Sequence, residues 1–320
     1  MKNNGHQKIL LKLFFFLTTL VLLDFIIGSL LNYFYFKQKS GFLYRTTYAI
    51  EKTTEDVIIF GSSTATHDYY PDIFKERLRL SYYNVGRDGN TILYDYAVLK
   101  CMLKRYTPKI VILDFDINEF KKTQEAYDRM TPLLPYYKTH PEIRPIVDLK
   151  SPYEKYKLLS KIYPYNSLIV SIFGGNVEYF NIEYFNKRQR KRDMNSDGYF
   201  PLTSIWRQPK RNDSAFINYQ LDGNKIKLYT HFLEDCVSSK TELYVVCSPV
   251  FINQNYVSPS ITLGKEIAKR YAVNFLDYSK DSTILNAPKL FADMVHLNNE
   301  GAKLFSNKLI DKIISDAVKK

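Results

Sequence analysis

Four short blocks of this chain carry side chains whose types and spacing could do chemistry. The first, Val57-Ile58-Ile59-Phe60-Gly61-Ser62-Ser63, is an apolar run broken by a Gly-Ser-Ser turn. A nucleophilic serine needs its oxygen lifted clear of a sheet edge, with a free backbone N–H beside it, and a strand-to-turn junction supplies both. The turn itself leaves a choice between Ser62 and Ser63. The second block, Asn84-Val85-Gly86-Arg87-Asp88-Gly89-Asn90-Thr91, holds glycines that let backbone approach a ligand. In the third, Asp116-Ile117-Asn118-Glu119, the amide of Asn118 can donate a hydrogen bond to a developing oxyanion. The fourth is Asp293-Met294-Val295-His296-Leu297-Asn298. A carboxylate three residues before a histidine can fix the imidazole tautomer, so that Nε2 takes a proton from a serine.

Each block follows or precedes an element that would position it. Residues 56–60 (DVIIF), 81–85 (SYYNV), 110–115 (IVILDF), 243–247 (LYVVC) and 273–276 (VNFL) read as strands. Leu93, Ala97 and Cys101 mark one face of a helix after the second strand, residues 264–271 end another, and Phe305, Leu309 and Ile313 form a stripe on a last helix over 300–318. Strand–helix alternation of this kind implies an α/β fold, a parallel sheet with helices on both faces. Residues 121–239 break the rhythm and read as a long insertion, rich in aromatics and carrying the basic run 187–192 (KRQRKR). An insertion there sits at the carboxyl edge of the sheet, where open α/β folds bind ligands. The basic run is most simply a solvated loop; the sharper alternative is contact with anionic lipid or an acidic glycan.

The N-terminus reads as a membrane anchor. Residues 13–36 are apolar almost throughout, long enough to span a bilayer as one helix, and Tyr33 and Tyr35 suit its interface. A cleaved signal peptide is the competing reading; the length of the run and the lack of a small-residue cleavage site oppose it. Lysines flank both ends in near balance, so charge does not set the orientation. Asp24 lies mid-span, where an acid is expensive and marks either a polar partner or a helix that slides to bring it toward an interface. Residues 1–12 are a short N-terminus, 37–54 read as a juxtamembrane linker, and 55–320 as the globular domain. The formal charge of +12 is not accompanied by any nucleic-acid-binding motif, so headgroups or envelope polymers are the better partners. Three scattered cysteines, Cys101, Cys236 and Cys247, give neither a disulfide framework nor a metal-ligand spacing.

In order and placement the four blocks resemble the SGNH (GDSL-type) hydrolase family, over roughly residue 56 to the C-terminus. The resemblance implies a flavodoxin-like three-layer α/β/α fold, with a sheet of about five strands preceded by one transmembrane helix. It implies Ser63 as nucleophile, Asp293 and His296 as its activating pair, and an oxyanion hole built from the Ser63 N–H, the Gly89 N–H and Asn118. Two positions depart from the pattern: Ser62 stands where the family has aspartate, and Asp116 where it has glycine. A Gly-Ser-Ser opening behind an N-terminal membrane helix looks like the envelope branches of the family, which move acyl groups on cell-wall or secreted polymers.

The expected function is therefore that of a serine esterase or O-acyltransferase on acyl esters, acetyl foremost, of envelope or secreted polysaccharide. No cofactor and no metal is implied. The partners implied are membrane lipid, an acylated carbohydrate or lipid-linked glycan, and an integral-membrane acyl-donor protein, with the catalytic domain on the extracytoplasmic side of the cytoplasmic membrane. The rival reading is a catalytically silent scaffold in a polysaccharide synthesis or export assembly.

Overall fold

The computed structural model describes residues 3–176, 197–207, 219–251 and 256–318. Five apolar runs form one parallel sheet: β1 (Val57–Phe60), β2 (Tyr82–Asn84), β3 (Ile110–Asp114), β4 (Glu242–Cys247) and β5 (Asn274–Asp277), in the order β2-β1-β3-β4-β5. The register is continuous, with Ile59 beside Asn84 on one side and Ile112 on the other. This is the flavodoxin-like strand order expected above, and its switch point lies between β1 and β3.

Alternate side chains of the central strands point to opposite layers. Ile58, Phe60, Val111, Leu113, Leu243 and Val245 join a core covered by helices Gly41–Glu51, Ile92–Leu103, Gly223–Ser238 and Pro259–Arg270. Val57, Ile59, Ile110, Ile112, Tyr244 and Val246 face a second core, closed by Ser63–Asp68, Pro71–Leu78 and the final helix Asn299–Val318. The stripe of Phe305, Leu309 and Ile313 is buried in that second core. Strands buried on both faces read as unbroken apolar runs, which is why the sequence located them within about a residue or two.

Two sequence expectations change. The stretch 37–54 is more than a linker: helix Gly41–Glu51 buries Leu43, Thr46, Thr47, Ala49 and Ile50 in the first core. Its threonines turn their hydroxyls onto partners (Thr47 Oγ1 is 2.6 Å from the Tyr136 hydroxyl), so a polar-looking sequence packs as core. The insertion also ends earlier than residue 239, because Gly223–Ser238 is the crossover helix into β4. It is capped by Asp222, which accepts from the Asn224 and Lys225 N–H groups, and it buries Leu228, Tyr229, Phe232, Leu233 and Cys236. The run before it, through residue 175, is a chain of short helical turns wrapped on that same core. The basic run 187–192 lies outside the described residues.

The N-terminal helix, Asn3–Phe36, contains one span long and apolar enough to cross a membrane, Gly5–Phe36. Its residues from Gly5 to Leu23 are exposed, whereas Leu31 and Tyr35 are buried in the domain. All three cysteines are free and buried.

Candidate active site

Gly61 makes the turn that presents the serines. Its φ of +138° is one that side-chain-bearing residues avoid, and a Cβ there would lie 2.7 Å from the Asp114 carbonyl oxygen. The chain then enters helix Ser63–Asp68 with Ser62 as its N-cap and Ser63 in its first turn. Asp114, at the buried end of β3, ties this helix down. It accepts from the Thr64 hydroxyl, from the Tyr69 hydroxyl at 2.8 Å and from the Ser248 hydroxyl at 2.5 Å. Burial pushes its carboxyl up to about 6, against the pull of those three donors.

The fourth block is brought to the same point from the far end of the chain. Asp293 folds its own loop: one carboxylate oxygen accepts from the backbone N–H groups of Val295 (2.8 Å) and His296 (3.0 Å). Asp68, the last residue of helix Ser63–Asp68, accepts the Leu297 N–H at 3.0 Å and so fastens that loop to it. The result is a continuous chain. His296 Nε2 lies 2.7 Å from Ser63 Oγ, and His296 Nδ1 lies 2.8 Å from Asp293 Oδ2. Burial raises the Asp293 carboxyl, but hydrogen bonds from the His296 ring and from the Val295 and His296 N–H groups outweigh it and hold it down to about 2. An ionised carboxylate can only accept, so Nδ1 carries the proton and Nε2 offers its lone pair to the serine hydroxyl. Ser62 takes no part in this chain; its hydroxyl faces Thr64 Oγ1 at 3.3 Å.

The second and third blocks flank the serine turn. The Arg87 N–H donates to the Gly61 carbonyl at 3.1 Å, and Asn90 N–H closes a tight turn on the Arg87 carbonyl at 3.0 Å. Gly89 occupies that turn at φ +73°, beneath the Arg129 guanidinium. Arg45 secures the base of the loop by donating to the carbonyls of Gly86 (2.9 Å) and Gly198 (2.6 Å). In the third block, Asp116 accepts the Asn118 N–H at 2.7 Å, and Asn118 Oδ1 is buried without a protein partner. Neither Gly89 nor Asn118 is hydrogen-bonded to Ser63 among the described residues. Burial raises the Asp116 carboxyl, opposed by the Asn118 N–H and by Lys225 and His296.

Buried polar atoms without a protein partner gather at this sheet edge: Asp68 Oδ2, both side-chain atoms of Asn90, Thr91 Oγ1, Asp95 Oδ1 and Asn118 Oδ1. Such atoms are uncommon in a finished core and suit a surface built to meet a ligand or water.

Sequence reasoning missed His67. It lies one helical turn after Ser63, and its ring meets the His296 ring edge to face, with centroids 5.2 Å apart. Its Nδ1 is 2.7 Å from the Phe200 carbonyl and its Nε2 is 3.7 Å from Asp88. The carbonyl requires a proton on Nδ1, and burial lowers the ring's affinity for a second. The i, i+4 spacing from Ser63 was the available signal. Asp68 and Asp114 were missed as well; an acid closing the otherwise apolar run of β3 was the only hint.

Ser63, His296 and Asp293 thus lie in one hydrogen-bonded chain, each end joined to the His296 ring, partly open to solvent. No family model matches this chain, and no curated protein matches it.

Proposed function

We propose that the protein is a serine-dependent esterase or O-acyltransferase of SGNH (GDSL) type, anchored in a membrane by its N-terminal helix. The observation that supports it best is the unbroken chain from Ser63 Oγ through His296 to Asp293, at 2.7 and 2.8 Å. Ser63 Oγ attacks the carbonyl carbon of an ester while its proton passes to His296 Nε2. The imidazolium is stabilised by Asp293 and returns the proton to the departing alkoxide as the acyl C–O bond breaks. The acyl-serine is then attacked by water, giving an acid, or by a sugar hydroxyl, giving a new ester; His296 takes the attacking proton and Ser63 regains it. The oxyanion of both steps is assigned to the N–H groups of Ser63 and Gly89 and to Asn118.

The substrates that fit an anchored enzyme of this kind are acyl esters of envelope or secreted polysaccharide, met on the extracytoplasmic face. The acyl group would come from an integral-membrane donor protein. Asp116 bears on the rate of both steps, since a carboxylate near the oxyanion opposes its charge unless protonated. Turnover of a short acyl ester tests the reading. His296→Ala and Asn118→Ala should each lower kcat, the loss of an oxyanion donor by about 10²–10³. Asp116→Gly should raise simple ester hydrolysis. Equal inertness of the wild type and all three variants toward esters and toward polysaccharide acceptors would leave the silent scaffold as the better description.

A further inference from the structure

The N-terminal helix does not leave the domain cleanly, and the way it is held points to a second lipid contact. Lys12 is the last basic residue before the apolar run. A hydrocarbon core about 30 Å thick takes about 20 helical residues, which carries the membrane level to the neighbourhood of Asn32. Yet the domain meets the helix well before that. Asp24 accepts from the Ser160 hydroxyl at 2.5 Å and from the backbone N–H groups of Lys161 (2.7 Å) and Ile162 (3.2 Å). Gly28 lies directly under the Lys161 backbone, so close that a Cβ would sit 2.4 Å from its carbonyl carbon. The Tyr165 hydroxyl then reaches Asn32 Oδ1 at 2.7 Å. Residues 160–165 therefore run beside the helix along its stretch from Asp24 to Asn32, about 12 Å of its axis.

Over that same stretch the opposite face of the helix stays apolar. Ile26 and Leu30 are each more than half exposed. The outward side chains of the docked segment match them: Leu159 is 75% exposed, Val170 79%, Tyr153 67% and Tyr156 59%. Lys161 keeps its ammonium against the helix, 3.6 Å from the centre of the Phe25 ring and 3.3 Å from Ser29 Oγ.

We infer that residues 153–170 lie in the bilayer interface beside the N-terminal helix, with Asp24 as the acceptor that satisfies their backbone at that depth. Irregular backbone is tolerated at membrane level only where its N–H groups find partners other than water. Asp24 supplies such a partner to two successive amides, which gives an acid within an apolar helix a reason to be there. Tyr153 and Tyr156 suit the headgroup level, and Lys155 beside them can extend toward lipid phosphate. Two attachments, helix and segment, fix the tilt of the domain, so the Ser63 site would face the membrane at one angle instead of swinging on a tether.

The inference rests on the membrane-anchor reading, and depth-dependent quenching separates the two. The full chain is placed in nanodiscs with a bimane label on single cysteines introduced as Leu22→Cys, Leu159→Cys, Val170→Cys and Val318→Cys; the native cysteines are buried. Val318 ends the final helix, in the layer on the far side of the sheet. With nitroxide-bearing lipid, positions 159 and 170 should lose fluorescence to an extent comparable to position 22, and position 318 should be unaffected. Quenching at 22 without quenching at 159 and 170 overturns the interfacial segment and leaves the anchor intact. An unquenched position 22 overturns both.

Discussion

At the scale of single residues, the site is organised by which groups can hold a proton. Asp293 is held down to about 2 by the His296 ring and two backbone N–H groups, so it stays an acceptor at any pH where the protein works. That fixes the proton on Nδ1 and leaves Nε2 for Ser63. Asp293→Asn keeps the shape but can donate to Nδ1, which turns the imidazole to the wrong tautomer. The expected result is a fall in kcat of about 10⁴ with KM little changed, as wrong-tautomer substitutions give in serine hydrolases; an unaltered kcat would show that Asp293 is only a loop anchor. These residues were legible in sequence because their relations are local: three positions join Asp293 to His296, and Gly61 interrupts an apolar run just before Ser63. His67, Asp68 and Asp114 were not, because their meaning comes from distant partners. Asp68 bonds a loop at Leu297, and Asp114 joins Thr64 to Ser248 across two strands. No spacing along the chain encodes those contacts.

At the scale of elements, buried acids hold helices to the carboxyl edge of the sheet. Glu119 accepts the N–H of Ile92, the first residue of helix Ile92–Leu103, at 2.8 Å. Burial raises its carboxyl from 4.5 to about 7, against the pull of Lys225 and of that N–H. The folded protein therefore holds this proton more tightly than the unfolded chain does, and the stability that comes with it is lost as pH rises from 4.5 through about 7. Glu119→Gln keeps an oxygen for Ile92 and does not titrate. Measured by denaturant unfolding across that range, wild type should lose stability relative to the variant by up to about 3 kcal/mol. Parallel curves would place the Glu119 titration elsewhere. Four of the five strands were readable because both of their faces are buried; β5 is only half-buried, with Phe275 and Leu276 as its signal. Helices Gly41–Glu51 and Gly223–Ser238 were hidden by threonine, lysine and aspartate, whose hydrogen bonds and caps, not their hydropathy, place them in the core.

At the scale of the whole molecule, the N-terminal helix belongs partly to the domain. Exposed from Gly5 to Leu23, it then contributes Leu31 and the fully buried Tyr35, whose hydroxyl donates to the Pro132 carbonyl at 3.1 Å. Removing residues 1–12 should leave stability unchanged in detergent. Removing 1–40 should lower it by several kcal/mol, since each large apolar side chain withdrawn from the core costs about 1.5–3 kcal/mol. Equal thermal midpoints for the two truncations would return the helix to the status of a simple tether. The sequence showed an apolar span and an acid within it, but not that residues 160–165 dock there, because that contact joins segments more than a hundred residues apart.

In the proposed reaction Ser63 is a nucleophile activated by His296 and Asp293. The measurement that meets it most directly is intact-mass detection of a fluorophosphonate adduct on the purified full-length protein, with Ser63→Ala and Ser62→Ala side by side. One stoichiometric adduct is expected on wild type and on Ser62→Ala, and none on Ser63→Ala. An adduct that persists in Ser63→Ala and disappears in Ser62→Ala, or no adduct on the wild type, would contradict it.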